Sequence, residues 1–287
     1  MSILQNKIDF EAIIEVNNAN PNGDPLNGNM PRTTYDGYGE MSDVCIKRKI
    51  RNRLLDMGEK IFVQSDDKKV DNFKSLRERA EANEAFGAEL KKGKKADKKA
   101  ATEAACKEWL DVRTFGQVFA FKGSDLSLGI RGPVSVHPAF SVEPIDITST
   151  QITKSVNSEA GKDSKASDTM GMKHRVDFGV YILKGSINVQ LAELTGFTEE
   201  DAEKVKEAIR TLFVNDCSAA RPDGSMEIVK LYWWKHNCKI GQYSSKKVHE
   251  SVKISKNEGI ETAKSIKDYN IVYTPLENLD VEEYDGI

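Results

Sequence analysis

Between Ile8 and Asn17 apolar and polar positions alternate, with Ile8, Phe10, Ala12, Ile14 and Val16 set among acidic neighbours, which predicts a half-buried first strand. From Ser42 the period changes. Ile46, Ile50, Leu54 and Met57 recur at helical spacing behind a serine suited to cap a helix, so one stripe of that helix is free to join a core. Asp177–Gln190 alternates again, as one strand or as a hairpin about Lys184 and Gly185. Thr198-Glu199-Glu200-Asp201 then opens a second helix, running to about Val214, with acids at its positive end. Glu227–His236 is the next strand. Ser127–Ile147, β-rich and broken by three prolines, reads as two strands with a bend, Lys239–Ser255 as a further β pair, and Thr274–Ile287 as an acidic, loosely held tail.

Two stretches depart from this rhythm. Ile61–Lys107 is dominated by Lys, Glu and Ala and predicts an inserted helical subdomain, whose run Lys91–Lys95 reads as a solvated face or a nucleic-acid contact. Thr148–Arg175 is a polar excursion almost free of aliphatic residues, of a length that compact domains reserve for function or disorder. Between them, Trp109, Val112, Phe115 and Phe119 have the spacing of one helix packed on a sheet. Arg113-x-Phe115-Gly116-x-Val118 imitates the aromatic motif of RNA-recognition domains, but its second and fifth positions fail. The coarse order predicts an α+β fold, a βαββαβ sheet with helices on one face enlarged by insertions.

The chain has 287 residues, 39% hydrophobic and 30% charged, with a net charge of −3. That balance excludes a uniformly basic nucleic-acid binder, so any polyanion site must be local. The helix after Ser42 offers one. Lys47, Arg48 and Arg51 fall away from its apolar stripe, and Asp43 is the only acid within it before Asp56. Most of its positive charge therefore lacks an i,i+4 partner, and the face is expected to seek an external polyanion. Ahead of it runs an Asn/Gly/Pro loop from Asn17 to Pro25, whose backbone amides suit a phosphate, followed by Arg32. Met170 and Met172 beside Lys173, His174 and Arg175 suggest an apolar wedge between bases with cations on phosphates. His137 suits a strand-end or phosphate contact better than a catalytic base. The four cysteines and four histidines show no metal-ligand spacing, and no metal or cofactor is expected. A metal-dependent ribonuclease using the loop aspartates Asp24 and Asp36 is the alternative chemistry, and a single-strand RNA module acting alone is another. No run is long enough for a membrane span, Met1–Lys7 lacks the order of a signal peptide, and a cytoplasmic location is expected.

Five stretches resemble one family, in matching order. They are Asn20-Pro21-Asn22-Gly23-Asp24-Pro25, the helix Met41–Arg51, Asp111-Val112-Arg113-Thr114-Phe115-Gly116, Gly132–Phe140 and Thr169-Met170-Gly171-Met172. Together they resemble the backbone subunit of the type I-C CRISPR surveillance complex, Cascade. The resemblance implies a hand-shaped, non-catalytic protein with a ferredoxin-like, RNA-recognition-type palm (residues 1–60, 108–147 and 176–287), helical fingers (61–107) and a long thumb loop (148–175). It implies that copies polymerise head-to-tail along CRISPR RNA and kink out guide bases so that the rest pair with target DNA. The processing or cap subunit, the large subunit and the small subunit of Cascade are the further partners implied. The expected RNA contacts are Asn20, Asn22, Gly23 and Arg32 in the loop, Ser42, Lys47, Arg48 and Arg51 on the helix, His137, and Lys154, Met170, Met172, Lys173, His174 and Arg175 in the thumb.

Overall fold

The computed structural model describes residues 2–123, 125–153 and 170–287. The alternating first segment forms β1 (Ile8–Ala19), and the loop after it folds back as a two-residue ladder, β2 (Gly23–Asp24) with β3 (Met30–Pro31). Strand β4 (Tyr38–Met41) leads to α1 (Asp43–Asp56), capped by Ser42, whose Oγ accepts from the Cys45 N–H. The helical insertion supplies α2 (Leu76–Ala82), α3 (Glu84–Lys91) and α4 (Lys98–Glu108). Next come α5 (Leu110–Phe115), the hairpin β5 (Gly116–Ala120) and β6 (Ser127–Arg131), β7 (Val134–Val136), β8 (Ala139–Pro144) and β9 (Ile147–Thr153). The 18-residue strand β10 (Met170–Ile187) precedes α6 (Val189–Thr195), α7 (Glu199–Arg210) and β11 (Met226–Lys235). The chain closes with α8 (Ser245–His249), β12 (Val252–Lys256), β13 (Tyr269–Tyr273) and β14 (Asp280–Asp285).

One large antiparallel sheet runs β14-β11-β1-β10-β8-β4, with β7 and β9 also paired to β10. On one face Phe10, Ala12 and Ile14 of β1 and Tyr181 and Leu183 of β10 meet Ile46, Ile50 and Leu54 of α1 and Val205 and Ile209 of α7. The predicted stripe of α1 is thus the buried one, and the Thr198 cap of α7 is a full capping box with Asp201. The other face is covered by the C-terminal segment, where Ile13, Val180 and Trp234 pack with Val248, Val252 and Tyr269. A second core stands apart, built on the rings of Phe62, Phe86, Trp109 and Phe119, with centroids 4.5–6.4 Å apart. It also takes in Leu128 and Ile130 of the β5–β6 hairpin, beyond the expected end of the insertion at Lys107.

Four expectations need correction. Trp109, Val112, Phe115 and Phe119 do not share one helix: α5 stops at Gly116, whose φ of +79° breaks it, and Phe119 lies on a strand. Lys239–Ser255 is not a β pair, because Ser244 caps the short α8 there and β12 pairs with the later β13. The acidic tail is no loose end but pairs along β11 from Lys230–Asp285 to Lys235–Asp280, where Lys230 and Lys206 meet its carboxylates. The described flanks of the polar excursion are a ladder, Ile147–Thr153 against Met170–Val176. Among the described residues no helix is long and apolar enough to cross a membrane.

Candidate nucleic-acid interface

The Asn/Gly loop is locked to the start of α1. Asn22 Oδ1 accepts from both the backbone N–H and the Oγ of Ser42 at 2.9 Å, while the Asn22 carbonyl takes the Arg32 N–H at 2.9 Å. Asn20 is buried, its side-chain amide donating to the Asn29 carbonyl at 2.7 Å and its backbone N–H to the Ala220 carbonyl. Gly23 lies close against Asn29: a Cβ there would sit 2.0 Å from Asn29 Oδ1, so the Asn29 side chain would have to swing aside. Asn20, Asn22 and Gly23 therefore shape the loop from inside, and its exposed side is carried by others. Leu26 and Tyr35 stand fully in solvent beside half-exposed Arg32, and Val44 is exposed at the first turn of α1. Sequence reasoning passed over these residues because a single exposed apolar side chain has no periodicity to reveal it.

The cations of α1 are not unpartnered, contrary to the expectation from i,i+4 spacing. Lys49 is buried in an ion pair with Asp216, its ammonium 5.4 Å from the centre of the Phe213 ring. Arg53 donates to Thr211 Oγ1 at 2.7 Å. Arg51 lies on the Phe115 ring at 5.0 Å and donates to Asp111 Oδ2 at 3.0 Å. Lys47 pairs with Asp43 one turn back at 3.0 Å, a surface contact of about 0–1 kcal/mol that a phosphate can displace. Arg48 donates to the Val63 carbonyl over a long 3.4 Å, with Asp67 and Asp111 near enough to act on its charge. Burial, then the Arg51 guanidinium beside it, push the pKa of Arg48 down. Asp111 accepts from the Phe62 and Val63 N–H groups and from Arg51, and both Asp67 and Asp111 act on the charge of Arg48, so the Arg48–Arg51 pair is partly balanced from within the chain.

The β9–β10 ribbon separates what the sequence places side by side. Successive side chains of a strand point to opposite faces, so Met170, Met172 and His174 share one face while Lys173 and Arg175 share the other. The methionines are 55% and 53% exposed, and Gln151 Nε2 lies 2.7 Å from Met170 Sδ. His174 Nδ1 is 2.7 Å from Ser149 Oγ, and Arg175 makes a 3.4 Å contact with Asp177. The methionines thus share one face with His174, and Lys173 and Arg175 form the opposite, cationic face. The ribbon's base meets the loop, since β3 packs on β10 and Ala19 pairs with Val176. His137 lies apart, exposed between β7 and β8, with its ring 6.1 Å from that of His249. Lys154 lies outside the described residues.

Residues 6–274 match the family described as CRISPR-associated protein Cas7. The chain belongs to the Cas7 family. A curated relative from Haloferax volcanii, also described as CRISPR-associated protein Cas7, is 26% identical over 236 residues, covering 70% of this chain. Those residues make up 62% of the relative, so this Cas7-family chain spans less than two thirds of that protein's length. Two solved chains are similar in structure. One comes from a CRISPR RNA-guided surveillance complex, pre-nicking, at 18% identity and a TM-score of 0.48, covering 79% of this chain and 78% of that one. The other, from a CRISPR RNA-guided surveillance complex, has 16% identity and a TM-score of 0.44, with 79% and 68% covered.

Within this Cas7-family fold the Asp111–Gly116 motif is a joint. Asp111 ties Arg51 of α1 to the backbone of residues 62 and 63, and Arg113 grips Asp201 of α7 through two bonds of 2.8 and 2.7 Å. Burial alone raises the Asp201 pKa, but the Arg113 guanidinium and the Thr198 cap outweigh it and hold that carboxyl below its usual range. Asp24 is occupied as a turn cap, its Oδ1 accepting from the Leu26 N–H at 3.2 Å and from Arg32 at 3.4 Å. Asp36 is exposed on the following turn.

Proposed function

We propose that this chain is the repeated RNA-binding backbone subunit of a type I-C Cascade complex, working in the cytoplasm without a chemical step of its own. The observation that carries the reading is the union of loop, helix and ribbon base by Asn22–Ser42 and by the packing of β3 on β10, in a chain of the Cas7 family. In this reading β1, β8, β10 and β11, in the order β11-β1-β10-β8 with α1 and α7 on one face, form the ferredoxin-like palm. The second core belongs to the fingers, and the β9–β10 ribbon is the root of the thumb. Arg32, Lys47 and Arg48 hold guide phosphates, with Lys173 and Arg175 on the cationic side of the ribbon. A guide holder must not read sequence, so phosphate contacts dominate and the bases between the kinked ones stay free for target DNA. Copies stack head-to-tail, and the cap, large and small subunits complete the assembly.

Measuring RNA affinity against salt tests this. Lys47→Ala and Arg48→Ala should each reduce the slope by about one, with no change of sequence preference. Arg51→Ala should leave the slope nearly unchanged and lower stability instead, because its charge is engaged with Asp111. Unchanged slopes for Lys47→Ala and Arg48→Ala would remove α1 from the RNA surface. Incubating the assembled complex with complementary RNA and Mg²⁺ is expected to leave that RNA intact; cleavage abolished by Asp24→Ala would restore the nuclease reading.

A further inference from the structure

The sheet face turned away from α1 and α7 buries a cluster of charge. Asp9 and Glu11, two positions apart on β1 and so on the same face, are both 0% exposed. Asp9 is served on one oxygen: its Oδ2 accepts from Lys7 Nζ at 2.7 Å and lies 2.8 Å from His236 Nε2, while its Oδ1 has no hydrogen-bond partner among the described residues. The Gln242 N–H donates to His236 Nδ1 at 2.9 Å, which leaves the His236 proton on Nε2, facing Asp9. Lys7 also donates to Ser245 Oγ, and His249 Nε2 donates to the Gly185 carbonyl at 3.1 Å. Gln242, Ser245 and His249 belong to the C-terminal layer, while His236 directly follows β11 and its N–H donates to the Lys7 carbonyl. The first three pin that layer to the sheet by polar contacts.

Glu11 sits in that seam without a hydrogen bond. Neither carboxylate oxygen finds a partner among the described residues, and the nearest cation, Lys184 Nζ on β10, stops at 3.7 Å. Tyr232 faces it from β11, with Glu283 of β14 and Tyr273 of β13 behind that ring, and His249 approaches from α8 beside Lys184 and Asp9. A buried carboxylate with no donors is costly, whereas a neutral carboxyl is tolerated there.

We infer that Glu11 is a proton-operated latch: its carboxyl is seated neutral beneath the C-terminal layer, and ionisation loosens that layer from the sheet. Burial pushes Glu11 up from 4.5 to about 7, with Lys184 pulling the other way. His249 and Asp9 move the other way. Burial lowers His249 to about 4, and at Asp9 the bonds from His236 and Lys7 outweigh burial and hold the pKa below its usual value. A carboxyl that binds its proton more tightly when the layer is closed gives full stability below about pH 4.5. That stability is lost as pH rises through 7.

Native-state hydrogen exchange on the full chain tests the latch. After correction for intrinsic rates, protection of the α8 and β12–β13 amides should fall about 10-fold between pH 6 and pH 8, while α1 amides stay flat. Glu11→Gln should abolish most of that fall. Lys184→Met, which removes the nearest cation among the described residues, should carry the fall to higher pH. A flat wild-type profile, an unchanged slope in Glu11→Gln, or an equal fall in α1 overturns the latch. The wild-type and Lys184→Met profiles decide the matter even if Glu11→Gln fails to fold.

Discussion

Asp111→Ala is expected to lower the stability of the chain by about 3–5 kcal/mol, the usual cost of breaking a buried pair from one side. The carboxylate is fully buried and has three donors, the N–H groups of Phe62 and Val63 at 2.6 and 3.0 Å and Arg51 Nε at 3.0 Å. Removing it strands two amides and a guanidinium at the seam between the main sheet and the second core. Arg51→Ala should cost less, since Asp111 then keeps both amide donors and loses only the guanidinium and its packing on Phe115. Asp111→Asn should fall between wild type and Asp111→Ala, because an amide oxygen still accepts. Urea midpoints rank the three. An Asp111→Ala midpoint indistinguishable from wild type would mean that the joint is held by the aromatic core alone.

The same pair marks how far the sequence could be read. The apolar stripe of α1 was legible because Ile46, Ile50 and Leu54 face one core, and a local period reports a local face. The destinations of its cations were not. Asp111 lies 60 residues from Arg51, Asp216 lies 167 from Lys49 and Thr211 lies 158 from Arg53, so the i,i+4 rule could see only the Lys47–Asp43 pair. The ribbon was illegible for another reason. Both of its faces are wet, so the strand carries no hydrophobic alternation, and only its pairing shows that Met170 and Met172 are turned away from Lys173 and Arg175. Strand β14 escaped notice because it is an acidic edge, held by one neighbour strand. The buried carboxylates of β1 were visible as the polar half of an alternating strand. That this half is covered, rather than solvated, follows from the C-terminal layer folding back over it.

Gly116→Ala and Gly132→Ala are each expected to destabilise by about 3 kcal/mol or more, adding strain and displaced backbone together. The two glycines belong to different motifs and meet back to back where α5 turns into β5. A Cβ on Gly116 would lie 2.2 Å from the Ile130 carbonyl oxygen and 2.7 Å from the Gly132 nitrogen. Its φ of +79° adds conformational strain for any other residue. A Cβ on Gly132 would lie 2.3 Å from the Thr114 carbonyl oxygen and 2.5 Å from the Gly116 nitrogen, with no positive φ to contribute. In both cases the obstructing atoms are backbone, which cannot swing aside as a side chain does. Because each substitution forces the same two strands apart, the double variant should cost less than the sum of the singles. Gly28, whose φ is +57° but whose Cβ position is open, is the control, and Gly28→Ala should cost only about 1 kcal/mol. Thermal midpoints for the four variants separate strain from collision. A Gly132→Ala midpoint as mild as that of Gly28→Ala would show that the strands can part at little cost and that the contact between the two motifs is incidental.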